Sequence, residues 1–140
     1  MDRKELAVSL FSKGYNCAQA VALAFADKVN ISDDVLARVS APFGGGVGRM
    51  REVCGAVSGM VILMGLAINK DLLVPENKLA LYKLEQQAAA TFKENACGSI
   101  VCRELLALHA HGEAECREKT GCKDLIKLAV SIIEEMNIFD

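Results

Sequence analysis

The sequence predicts an all-α, single-domain helical bundle of about six to seven helices, and three observations carry that expectation. A chain of 140 residues suits one compact domain and falls short of two. Apolar residues recur at helical spacing throughout, and no stretch sustains an alternation of period two. Hydrophobic residues make up 52% against 5% aromatic with no Trp, and the preponderance of Ala and Leu favours helices over a sandwich or barrel.

The elements follow in order. Asp2 caps a first helix from Arg3 to about Ser12, which Gly14 ends. Asn16 caps a second, Cys17 to about Val29, and Ser32 a third, Asp33 to about Ser40, with Asp33 and Asp34 in its first turn. Pro42 and the run Gly44 to Gly48 break the chain. A fourth helix, about Glu52 to Ala67, is apolar on nearly every side and belongs in the middle of the domain. Pro75 opens a long fifth helix, about Glu76 to Asn95, with Leu81, Leu84, Ala88 and Phe92 facing inward and Lys78, Lys83, Glu85 and Lys93 solvated. Ser99 caps a sixth from Ile100 to about His109, and His111 to Lys119 holds at most a short turn. The last helix runs from about Cys122 to Met136, with Leu125, Ile126, Ala129, Ile132 and Ile133 on one face.

Charge and composition exclude some classes of function. A net charge of −2 argues against nucleic-acid binding, which needs a surplus of Lys and Arg. The most apolar run, Val53 to Ile68, is short for a membrane span and holds three Gly. The N-terminal residues show no signal-peptide pattern, so the expected location is cytoplasmic and the expected compartment reducing. Six cysteines in such a chain need an explanation. They are about 4% of residues, below the roughly 8–10% of a disulfide scaffold, and point to metal binding or redox chemistry instead.

Their positions are informative. Cys17, Cys102 and Cys122 fall in the first turns of three helices, and Cys54 lies at or just inside the start of the buried one. Helix N-termini carry unsatisfied N–H donors and partial positive charge, which lowers a thiol's pKa and favours thiolate. If the four ends converge, they form a pocket suited to anionic sulfur. A [2Fe–2S] centre or a zinc ion on four thiolates is a dianion, so this argument does not choose the metal. Any one of these cysteines taken alone reads equally well as a small buried hydrophobe. No Cys-x-x-Cys is present, so neither a thioredoxin-like dithiol nor a zinc ribbon is signalled.

The glycine run matches neither the P-loop nor the dinucleotide fingerprint. Gly46 and Gly48 instead suggest backbone passing close to a site, with free N–H groups that can bond to sulfur and with Arg49 and Arg51 nearby. Gly55 and Gly59, four apart on the buried helix, most simply allow close helix packing. His109 and His111 read as ordinary loop histidines, and Lys119, Lys123 and Lys127 as a solvated face.

Asn16-Cys17-Ala18-Gln19-Ala20, Gly44 to Met50, Cys54-Gly55-Ala56-Val57-Ser58-Gly59, Gly98 to Leu106, and Cys122 with its helix resemble, in order, the redox-active family known as C_GCAxxG_C_C. The resemblance implies that the family's four cysteines are Cys17, Cys54, Cys102 and Cys122, the same four that stand at helix starts. It also extends to the iron–sulfur domain of split-Soret cytochromes, which implies a [2Fe–2S] cluster. No Cys-x-x-Cys-His offers a haem site. Cys97 and Cys116 fall outside the four, as spare thiols, resolving cysteines or core residues.

The leading expectation is an iron–sulfur electron carrier with an unknown protein donor or acceptor. A thiol–disulfide oxidoreductase or redox sensor without metal, and a structural Cys₄ zinc protein, are the alternatives. A mean hydropathy of +0.26 with few aromatics hints at a homodimer.

Overall fold

A computed structural model describes residues 1–139. Helix α1 (Arg3–Lys13) starts where the Asp2 carboxylate accepts from the Glu5 N–H at 2.8 Å, and ends at Gly14, whose φ of 119° few other residues adopt. Helix α2 (Cys17–Leu23) opens on a capping box: the Asn16 side chain accepts from the Gln19 N–H at 2.9 Å, and Gln19 returns the bond at 3.0 Å. It is shorter than the sequence suggests. At Phe25 the backbone leaves helical values and Ala26–Lys28 form a 3₁₀ turn. There Phe25 stacks on Phe139 with ring centroids 5.8 Å apart, and the Arg3 guanidinium lies over the Phe25 ring. Arg3 also holds Asp27 through bonds of 2.6 and 2.9 Å, so the turn is pinned to α1.

Ser32 caps α3 (Asp33–Ser40) by accepting from the Val35 N–H. Helix α4 (Gly55–Ala67) begins three residues later than expected, with Cys54 itself as the cap residue. Pro75 opens α5 (Pro75–Asn95). Helix α6 (Cys102–His111) corrects the Ser99 cap: the Ser99 hydroxyl accepts from the Val101 N–H and donates to Glu104, forming a turn ahead of the helix. Helices α7 (Ala114–Lys119) and α8 (Cys122–Met136) complete the chain, with Gly121 as the α8 cap. Apart from the turn at Gly44–Val47, the described residues hold eight α-helices, the short α7 being the one beyond the six to seven expected.

Helix α4 occupies the centre, as its all-round apolar sequence requires, and packs on α2, α5 and α8. A side chain on Gly59 would place its Cβ 2.8 Å from Cβ of Val21 and 2.9 Å from the Ala18 carbonyl oxygen, so this glycine allows α2 and α4 to cross closely. Phe92, Met60, Leu63, Ile126 and Ile133 are fully buried between these helices, each stabilising the fold by about 1.5–3 kcal/mol. One solvated assignment is corrected: Glu85 is half-buried, and burial pushes its carboxyl pKa up. Among the described residues no helix is long and apolar enough to cross a membrane.

Candidate four-cysteine site

The glycine run folds into one turn of left-handed helix. Gly45, Gly46, Val47, Gly48 and Arg49 all have φ between 57° and 72°, and Arg51 follows at 64°. Each of Val47, Arg49 and Arg51 costs about 1–2 kcal/mol in this conformation, which glycine adopts freely. The turn reverses the chain and delivers residues 51–54 alongside 100–103. The Cys54 N–H donates to the Ile100 carbonyl at 2.8 Å, the Cys102 N–H to that of Glu52 at 2.6 Å and the Arg103 N–H to that of Arg51 at 3.2 Å, around an antiparallel bridge between Val53 and Val101. The start of α6 is thereby fastened to the start of α4.

In the second half of the turn the N–H groups are engaged: those of Gly48, Arg49, Met50, Arg51 and Glu52 are taken by carbonyls of Pro42, Gly44, Val47, Gly45 and Gly46. The glycines also serve close approach. A Cβ on Gly46 would lie 2.6 Å from Cβ of Cys102, and one on Gly55 would collide with Sγ of Cys17. Gly48 makes no such contact, and its left-handed φ of 57° is its reason.

Three of the four cysteines occupy the first helical position, Cys17 on α2, Cys102 on α6 and Cys122 on α8, while Cys54 is the α4 cap residue. All four are free thiols and line one cavity of about 530 Å³, together with Arg49 and Arg51. Cys54 is buried at 6% exposure, Cys17 and Cys102 are half-buried, and Cys122 is exposed at the rim. The Arg51 Nη1 donates to Sγ of Cys102 at 3.8 Å. Among the described residues no three His, Cys, Asp or Glu side chains stand close enough to hold one metal ion together.

The thiolate expectation is corrected at two of the four positions. Burial pushes the Cys54 thiol up to about 12, helped by the nearby charge of Cys17 and then Cys102, against the opposing N–H groups of Ala56 and Val57. Cys122 is exposed as a residue, but partial desolvation in the cavity mouth still raises its thiol, with Cys17 and Cys102 adding to it and Arg51 opposing. The helix-end donors are present at Cys54, but desolvation outweighs them, so both thiols hold their protons at neutral pH.

Cys97 and Cys116 lie elsewhere, joined as a disulfide with Cα atoms 5.9 Å apart. This pairing was not legible in the sequence, since no local spacing marks cysteines 19 positions apart. His109 is structural, its Nδ1 bonded to the Arg117 carbonyl at 2.8 Å.

Fold and site together define an all-α protein that presents four thiols, from the starts of four helices, to one cavity. The family model described as "Putative redox-active protein (C_GCAxxG_C_C)" matches residues 15–136, and the chain belongs to that family. No curated protein and no solved structure matches the chain.

Proposed function

We propose that Cys17, Cys54, Cys102 and Cys122 hold an iron–sulfur cluster of the [2Fe–2S] type and that the protein exchanges single electrons with a partner protein in the cytoplasm. The observation that carries this reading is the convergence of four free thiols on one arginine-lined cavity while the other two cysteines pair with each other. When bound, such a cluster supplies reversible one-electron transfer at a potential set by burial and hydrogen bonding.

The chain's own residues have definable tasks. The four sulfurs ligate, and Cys54 and Cys122 give up their protons on loading, so binding releases protons and weakens at low pH. Arg51, already within reach of Cys102, offsets the anionic charge of the thiolates.

Anaerobically purified protein is expected to be brown, with iron and acid-labile sulfide in equal amounts. Colourless, iron-free protein after cluster reconstitution refutes the reading. Stoichiometric zinc that resists reductants supports the structural alternative. A thiol count that changes reversibly at Cys17 or Cys54 without metal supports a dithiol oxidoreductase.

A further inference from the structure

The disulfide stands between the two cysteine-bearing segments nearest the C-terminus. Cys97 follows α5 in a left-handed conformation (φ 56°), next to Gly98 (φ 92°), and leads through Ser99 into Cys102. Cys116 sits in α7, and Thr120, buried at 3% exposure, donates its hydroxyl to the Cys116 carbonyl at 2.6 Å just ahead of Cys122. Thr120 also lines the four-cysteine cavity.

Cys102 and Cys122 are therefore held by different means. The Cys102 segment is fastened to residues 51–54 by three backbone bonds and by the packing of Leu105. Helix α7 is six residues long and buries none of them, so it has no apolar anchor of its own. It packs on α6, whose His109 bonds the Arg117 carbonyl, and the disulfide adds the tie to the end of α5. Both bridged cysteines are half-buried rather than sealed in the core, and Cys97 lines a surface pocket with Gly98 and His111. In a reducing compartment a disulfide of this kind is transient and redox-sensing.

We propose that Cys97–Cys116 is a second redox site, reduced by a protein or small-molecule dithiol, whose state sets how firmly α7 and the start of α8 hold Cys122 in the four-cysteine cavity. A thiolate of the donor attacks one sulfur of the bridge, forming a mixed disulfide and releasing the other cysteine as a thiolate that takes up a proton. The donor's second thiolate then displaces the attacked cysteine, which is protonated in turn. Two electrons and two protons pass to the protein, and the donor leaves as its disulfide. The inference rests on the four-cysteine cavity being the working site, and its test uses metal-free protein so that the loss of cluster binding would leave the readout unaltered.

The full chain, stripped with a chelator, is treated with dithiothreitol without denaturant. After the dithiol is quenched with acid and removed, alkylation in denaturant and mass spectrometry count the thiols, and hydrogen exchange is followed in residues 114–123 and in α4 of the native protein. Four thiols are expected to become six, with exchange in 114–123 at least about tenfold faster and α4 unchanged. The double variant Cys97→Ser/Cys116→Ser is expected to show the fast exchange without any dithiol. A bridge that resists dithiothreitol until the protein unfolds overturns the proposal, as does unchanged exchange in 114–123. Equal acceleration in α4 also overturns it, because the bridge would then support the whole fold. Should the double variant fail to fold, the dithiol-treated native chain decides alone.

Discussion

Substituting Gly46→Ala tests the close approach that builds the site. The added Cβ would sit 2.6 Å from Cβ of Cys102, 2.8 Å from the Glu52 nitrogen and 2.9 Å from the Arg51 Cα, and two of these three neighbours are backbone. None can swing away, so relief requires the left-handed turn to move off α6. Overpacking of this kind costs about 1–3 kcal/mol. The φ of 72° adds about 1–2 kcal/mol for a residue with a Cβ. The sum, about 2–5 kcal/mol, is a large part of the total for a domain this size. At about 3–4 °C per kcal/mol it lowers Tm by roughly 6–20 °C. Gly65→Ala is the matched control, because its Cβ meets nothing within 4 Å and its backbone is helical. It is expected to raise stability by about 0.5–1 kcal/mol. Urea unfolding followed by circular dichroism measures both. If Gly46→Ala is as mild as Gly65→Ala, the turn does not press on Cys102 and the reasoning fails.

Other outcomes follow from the same structure. With the Cys54 thiol raised to about 12, native metal-free protein at pH 8 leaves Cys54 unalkylated, and denaturant exposes it; rapid native labelling would contradict the burial argument. Because that folded pKa lies above the unfolded value, its stabilising effect is complete below about pH 9 and is lost as pH rises from there towards 12, so urea midpoints fall across that window. Asp27 is the opposite case. Its carboxyl is lowered chiefly by the hydrogen bond from Arg3, so its contribution is present above the unfolded value of 3.8 and is lost in acid. Asp27→Asn should cost about 0.5–1 kcal/mol at pH 7 and flatten that acid loss, the discount reflecting an exposed carboxylate.

What the sequence revealed and concealed divides along physical lines. Asp2, Gly14, Asn16 with Gln19, and Ser32 act on their immediate neighbours, so the starts of α1, α2 and α3 could be read directly. The same local logic placed Cys17 and Cys122 at helix starts. Ser99 misled because its hydroxyl is spent on a turn that precedes α6. The left-handed turn was half legible: three glycines permit it, but nothing local announces that Val47, Arg49 and Arg51 would join them. Their conformation is imposed by the pairing of 51–54 with 100–103, which is a tertiary fact. The raised pKa values of Cys54 and Cys122 have the same origin. A helix end can be read from a cap, whereas desolvation depends on which distant helices close over it.

The placement of one thiol on each of four helices has a consequence for biosynthesis. Cys17 and Cys54 leave the ribosome well before Cys122, which opens α8. A nascent chain that has extruded everything up to α5 owns only two of the four thiols, and no shorter fragment contains the complete set. The set of four is therefore completed last, when α8 docks against α4 and α2. Until that moment Cys17 and Cys54 are unguarded, and any metal or oxidant that reaches them first competes with correct assembly.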